Sequence, residues 1–372
     1  MDLSTHKRVV VKIGSALLVD DEGLRKAWLA SVAADIAALR AAETDVIVVS
    51  SGAIALGCVR LGLHERPQRL DEAQGAACVG QIALMQAFET AFSEHGIVPG
   101  QMLLTLSDLD GRRTYLNARA ALETLLAKGI VPVINENDAV ATEEIRVGDN
   151  DRLAARVAQM TGADVLVLLS DIDGLYEADP RSTPDAKHIA HIEAISPDII
   201  AMAAPLDPSS MSRGGMATKL EAGRLVTGSG CAMVIVDGQE PAPLSRLKAG
   251  ARHSMFAASD IDQKDARKRW LSGQLGPQGA IIVDDGAASA LAAGKRLLAA
   301  GILTANGPFM RGDVVRIQNG PAGNIAIGLS NYDSAEIARI AGLKSEDIAG
   351  KQGYTRSQTV VHRDNLVLDA KG

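Results

Sequence analysis

The sequence predicts an α/β protein, a three-layer αβα sandwich around a mainly parallel central sheet, with a small β-rich domain after it. Three observations carry that prediction. Short apolar runs rich in Val and Ile alternate with longer stretches of helical spacing from residue 8 to about residue 236. Such alternation builds βαβ units, whose strands run parallel and are covered on both faces. Polar or glycine-bearing clusters follow directly on several apolar runs. These are the strand ends at which open α/β sheets keep their ligands. After about residue 240 the pattern gives way to short β-like runs between Gly, Asn and Asp turn signals.

Residues 8–13 form an apolar run that ends at Gly14 and read as a buried strand. Residues 24–42 are Ala/Leu-rich with helical spacing. Residues 45–50, "DVIVVS", are a second buried strand, closed by Ser51-Gly52. Helices are predicted over 71–94, 112–128 and 216–227, and strands over 101–104, 131–134, 164–169 and 232–236. "QEPAPLSRLKAGARHSMF" reads as the exit from the α/β core. Beyond it, 280–283, 314–317 and 324–328 are predicted strands, with one clear helix over 287–293 among them. The expected domains are 1–260, a linker over 261–277, a β-rich domain over 278–358 and an irregular tail over 359–372.

A chain of 372 residues is long enough for two cores. Its hydrophobic fraction of 47% and charged fraction of 22% are those of a globular protein. Aromatics make up 3%, so Ala, Val, Leu and Ile must build the core. The net charge of −7 argues against a general nucleic-acid or anionic-membrane surface, while leaving room for a local basic pocket. Cys58, Cys78 and Cys231 are odd in number and far apart, with no C-x-x-C pair. Neither a zinc site nor a disulfide framework is expected, and the cytoplasm is the expected location. No signal peptide and no run long enough to cross a bilayer are seen.

Two nucleotide signatures are absent: there is no G-x-x-x-x-G-K-[ST] and no G-x-G-x-x-G after the first strand. His188 and His191 form H-x-x-H without a third nearby ligand, so a turn is expected there and no metal. In "VVVKIGSALL", Lys12 ends an apolar strand. Burying its charge requires an anionic partner; otherwise its stem lies along the strand end with the ammonium in water. Gly14 and Ser15 offer backbone N–H groups to a phosphate. In "VVSSGAIALG", Ser51 and Gly52 precede a helix, where serine either caps or contacts a ligand. "SRGGMATK" is a glycine loop entering a helix, with Lys219 one turn in. In "SDIDGLYEADPR", Asp173-Gly174 has a turn explanation, while Ser170 and Asp171 sit at a strand end. "VPVINENDAVATEEIRVGDND" places Asn135, Asp138, Asn150 and Asp151 in two dense clusters of carboxylates and amides.

In this order, these segments resemble the amino-acid kinase family, and within it the branch that phosphorylates free L-glutamate. "NENDAVAT" followed by "GDND" discriminates far better than any glycine loop. The late segment is similar to the PUA domain that many bacterial members of that branch carry. The resemblance covers essentially the whole chain. It implies transfer of the γ-phosphoryl group of ATP to the side-chain carboxylate of L-glutamate, as the first step of proline synthesis. It also implies a Mg²⁺ requirement, inhibition by L-proline near the glutamate site and a homo-oligomer, dimer or tetramer. The lability of the acyl phosphate product adds an expected coupling to glutamate-5-semialdehyde dehydrogenase.

The resemblance assigns Lys12 and Lys219 to the ATP phosphates and Asp151 to orienting the two lysines. Gly14 and Gly52 let backbone amides approach the phosphates. Ser170, Asp171 and the segment Arg213, Gly214, Gly215, Met216, Ala217, Thr218 and Lys219 fall on nucleotide-binding positions. Arg213 stands where members often have a small residue or threonine, and Ser15 where many have threonine. Asp138 is the expected partner of the glutamate α-ammonium, with Asn135 and Asn150 adding amide contacts and Ser51 reaching the substrate carboxylate. A kinase of N-acetylglutamate is the nearest alternative, but Asp138 suits a free ammonium and not an acetamide. RNA binding by the late domain is the alternative of another class. Residues 278–372 hold ten Lys/Arg against nine Asp/Glu, too even for a basic footprint.

Overall fold

A computed structural model describes residues 1–20, 23–63, 65, 67–141, 150–202, 215–260, 277–320, 323–344, 347–348 and 359–368. The chain divides into two compact units, Met1–Gly111 with Asn117–Ile261, and Arg112–Leu116 with Asp262–Gly372.

The first unit is built on β1 (Arg8–Ile13), α1 (Lys26–Ala41), β2 (Asp45–Ser50), α2 (Ala53–Leu61), α3 (Leu70–Ser93), β3 (Pro99–Leu104), α4 (Arg112–Ala127, from Asn117 on), β4 (Val131–Glu136), α5 (Asn150–Thr161), β5 (Val165–Ser170), β6 (His191–Ile192), α6 (Met216–Thr227), β7 (Ala232–Asp237) and β8 (His253–Phe256). Eight strands form one sheet in the order β6-β8-β7-β5-β1-β2-β4-β3. Every neighbouring pair is parallel except β7 with β8. Strands β4 and β5 are buried at every position, as a sheet covered on both faces requires. The mainly parallel central sheet expected from the sequence is the one observed.

Helices α2 and α3 meet backbone to backbone. A Cβ on Gly57 would sit 1.8 Å from the Ala76 carbonyl oxygen, and one on Gly80 the same distance from that of Ala53. Glycine at both positions is what allows the approach.

The second unit holds a five-stranded sheet formed by β9 (Gly279–Val283), β10 (Ile302–Asn306), β11 (Val314–Asn319), β12 (Gly323–Leu329) and β13 (Leu366–Leu368), in the order β10-β9-β11-β12-β13. Two helices accompany it, α7 (Asp285–Ala292) and α8 (Ser334–Ile340). Its own core includes Ile281, Val315, Ile317, Tyr332 and Ile337.

Three expectations are corrected. The segment read as an exit from the core contributes β8, which pairs antiparallel with β7 before the chain leaves the sheet. A second helix, α8, joins the one expected, closed by a reciprocal cap between Asp333 and Glu336. Part of the tail is ordered: β13 pairs with β12, and Val361 bridges to Leu297. Most of the expected linker, 261–276, lies outside the described residues. Among the described residues, no helix is long and apolar enough to cross a membrane.

Candidate active site

The parallel register brings four strand ends together. Lys12 on β1 faces Val49 of β2 and Leu168 of β5, and Ile13 faces Ser50. Val49 in turn faces Ile134 of β4. The residues that follow, Ser51, Asn135 and Ser170, therefore emerge on one edge of the sheet. Helix α5 starts at the same edge with Asn150 and Asp151.

Asp151 is fully buried. Lys12 Nζ lies 2.5 Å from its Oδ1 and Lys219 Nζ lies 2.8 Å from its Oδ2. Both lysines are themselves buried. Burial alone would push the Asp151 carboxyl up. The charges of Lys12 and then Lys219, with their hydrogen bonds, reverse that and hold it at about 2. The carboxylate is thus ionised and turned to the two ammonium groups.

One residue earlier, Asn150 begins a polar chain. Its Nδ2 donates to Ser51 Oγ at 2.6 Å and to Asn135 Oδ1 at 3.3 Å. Asn135 Oδ1 also accepts from the Glu136 backbone N–H at 2.9 Å, and Asn135 Nδ2 donates to Gln81 Oε1 at 2.9 Å. Asn150 Oδ1 is buried with no hydrogen-bond partner among the described residues. Because Ser51 Oγ accepts from Asn150, its own proton is left to donate. Ser51, Gly52, Asn135, Asp138 and Asn150 line one cleft of about 610 Å³, together with Asp20 and Glu65 among others. Lys12, Asp151 and Lys219 are not among its lining residues.

Gly52 has φ 109°, a left-handed conformation that favours glycine, and its backbone opens α2. Gly14 has an ordinary φ of −74°, and a Cβ there would meet nothing within 4 Å. Ser170 donates to Asp171 Oδ1 at 3.2 Å, and Arg181 pairs with Asp171 Oδ2 at 2.7 Å. Burial would raise the Asp171 carboxyl, and the Arg181 hydrogen bond and charge hold it below its ordinary value. Gly215 caps α6, where Thr218 donates back to its carbonyl at 2.7 Å, while Met216 and Ala217 form the first turn ahead of Lys219. Arg213 and Gly214 lie outside the described residues, as do Gly148 and Asp149. His188 and His191 occupy short strands, where His188 meets Ser254 Oγ at 3.2 Å and His191 meets Glu193 at 2.9 Å.

No cluster of three or more His, Cys, Asp or Glu side chains able to hold a metal occurs among the described residues. Sequence reading missed Gln81, which carries no local motif.

The model of the amino acid kinase family matches residues 7–237, and that of the PUA domain matches residues 279–351. The chain is 54% identical to a protein of Rhizobium etli named glutamate 5-kinase, over 99% of this chain and 95% of that protein. It is likewise 54% identical to one of the same name from Agrobacterium fabrum, over 98% and 94%. Among solved structures, an isopentenyl phosphate kinase aligns with a TM-score of 0.46 at 15% identity, over 67% of this chain and all of the other.

Proposed function

The chain belongs to the amino acid kinase family, and from that premise we propose that it transfers the γ-phosphoryl group of ATP to the side-chain carboxylate of L-glutamate. The product is L-glutamyl 5-phosphate and the pathway is proline biosynthesis. One observation carries the reading. Asp151, held between two buried lysines, directly follows Asn150, which reaches Ser51 and Asn135 in the cleft.

The attacking carboxylate and the ATP phosphates are all anionic, so catalysis must align like charges and offset the charge on the transferring group. Lys12 and Lys219 supply that offset. Asp151 needs no role as a base, because a glutamate side chain is already ionised at neutral pH. Its work is to hold two ammonium groups in one place with a single negative charge. On the acceptor side, Asp138 and the unpartnered Asn150 carbonyl receive the α-ammonium, and the Ser51 proton meets a carboxylate oxygen. The backbone at Gly14 and Gly52, Ser170-Asp171 and the loop from Arg213 to Lys219 serve the nucleotide.

Both Asp151 oxygens are committed to lysines, so the described residues do not offer a protein cage for a metal. We assign Mg²⁺ to the phosphates of ATP and their waters, where it would neutralise charge. L-proline is proposed as an inhibitor acting at the acceptor cleft, whose volume of about 610 Å³ exceeds the needs of one glutamate. A homo-oligomer, a cytoplasmic location and coupling to glutamate-5-semialdehyde dehydrogenase complete the reading. The coupling is motivated by the lability of an acyl phosphate.

The test is ATP- and Mg²⁺-dependent formation of γ-glutamyl hydroxamate from L-glutamate, with and without L-proline. Product that falls with proline is expected. Product indifferent to proline removes the inhibitor from the proposal and keeps the chemistry. No product from folded protein overturns the whole.

A further inference from the structure

We infer that Gln81 is a positioning residue. From helix α3 it accepts from Asn135, whose Oδ1 receives the Asn150 NH₂ group, and so steadies an arrangement that leaves the Asn150 carbonyl without a partner among the described residues. The use of that carbonyl for an α-ammonium rests on the function proposed above; the orientation itself does not.

Oxygen and nitrogen of an amide are told apart by their partners. One donor in this chain is unambiguous, the Glu136 backbone N–H, which lies 2.9 Å from a terminal atom of Asn135. That atom must be Oδ1. The other terminal atom of Asn135 is therefore Nδ2, and it faces Gln81 at 2.9 Å. Gln81 must meet it with an acceptor, Oε1. Asn150 approaches the same Asn135 Oδ1 at 3.3 Å and must meet it with Nδ2, which also serves Ser51 Oγ at 2.6 Å. Asn150 Oδ1 is what remains. It is buried, has no partner among the described residues, and belongs to a residue that lines the cleft.

A donor in place of Gln81 Oε1 would oppose Asn135 Nδ2. Turning Asn135 over to relieve it would set an NH₂ group against both the Glu136 N–H and Asn150 Nδ2. The Glu136 N–H sets the sense of the chain, and Gln81 Oε1 takes up the Asn135 NH₂ group that this sense turns towards α3. The close approach of α2 and α3 at Gly57 and Gly80 keeps that acceptor in place, because Gly80 immediately precedes Gln81. Gln81 also lines a second recess of about 540 Å³, together with Glu136, Asn137 and Asp138.

The experiment compares the wild type with Gln81→Met, which keeps the shape and removes the acceptor, and Gln81→Glu, which keeps the acceptor. In unliganded protein carrying ¹⁵N-labelled asparagine, the wild type should show contacts from the Asn150 NH₂ to Ser51 and from the Asn135 NH₂ to Gln81. Q81M should shift both amide signals, and Q81E should leave that of Asn150 in place. In kinetics, Q81M should raise the glutamate KM about tenfold, the scale of one mismatched buried donor, with the ATP KM unchanged and Q81E restoring the glutamate KM. Wild-type protein without those amide contacts overturns the inference, as does Q81M with unmoved signals and an unmoved glutamate KM. Equal rises in both KM values in Q81M also overturn it, since they denote a structural defect. Shifted amide signals in a protein that fails to phosphorylate glutamate uphold the role of Gln81 and refute the acceptor proposed above.

Discussion

Lys12 Nζ lies 2.5 Å from Asp151 Oδ1, although the two residues are 139 positions apart in the chain. The other carboxylate oxygen is taken by Lys219, at 2.8 Å. One negative charge thus faces two positive ones in a site shielded from water, and the trio keeps a positive surplus. That surplus is what an entering phosphate would meet.

Removing the carboxylate should show how strongly the trio depends on it. Asp151→Asn removes the carboxylate that the buried Lys12 and Lys219 share. Breaking a buried pair in this way costs about 3–5 kcal/mol. An unfolding free energy lowered by that amount is expected in urea denaturation, seen as a lower midpoint. A midpoint equal to that of the wild type would mean that the lysines find other partners.

The same carboxylate gives a pH signature with a definite sign. Its value of about 2 in the folded protein lies below the ordinary 3.8. The stabilisation is therefore complete above about pH 4 and is lost as pH falls through the folded value. The stability difference between wild type and Asp151→Asn should shrink as pH is lowered from 5 towards 2. A difference that stays constant over that range would remove the linkage.

Each lysine is expected to act in the rate. Lys12→Met and Lys219→Met should each lower kcat about 10²–10³-fold, the scale set by loss of one aligned charge or donor. Circular dichroism checks that the variants fold. A folded variant that keeps a tenth of the wild-type kcat would take that lysine out of the clamp.

Asp138 separates the two substrates. Asp138→Ala should raise the glutamate KM by more than tenfold, as loss of a charged partner worth about 1.5–3 kcal/mol implies, and leave the ATP KM in place. Initial rates with each substrate varied in turn read both values. An unmoved glutamate KM would reassign the α-ammonium.

Gly80→Ala tests the helix contact. The added methyl would lie 1.8 Å from the Ala53 carbonyl and 2.4 Å from the Gly57 nitrogen. Overpacking of this kind costs about 1–3 kcal/mol, with backbone on both sides leaving little room to yield. Urea denaturation should show the loss, and an unchanged midpoint would mean that the helices separate freely.

Much of the first unit was legible because its strands are short, apolar and closed by polar clusters. Boundaries failed where polarity hides a strand. The predicted 131–134 runs on through Asn135 and Glu136, whose backbones pair with Leu103 and Leu104. Strand β8 has only four residues and only alternate burial, so its apolar signal was too thin. Helix α8 did announce itself, through the Asp333-x-x-Glu336 cap, and that signal was passed over. Gln81 announced nothing. Its partner Asn135 is 54 residues away, and only the packing of α3 brings the two together.

Asn150 and Asp151 are neighbours on one helix turn, yet they address different halves of the chemistry. Whatever meets Lys12 and Lys219 and whatever meets Asn150 thus bear on one and the same helix turn. Linkage is reciprocal: whatever affinity ATP lends to glutamate, glutamate must return to ATP in equal measure. Any such exchange would run through the first turn of helix α5.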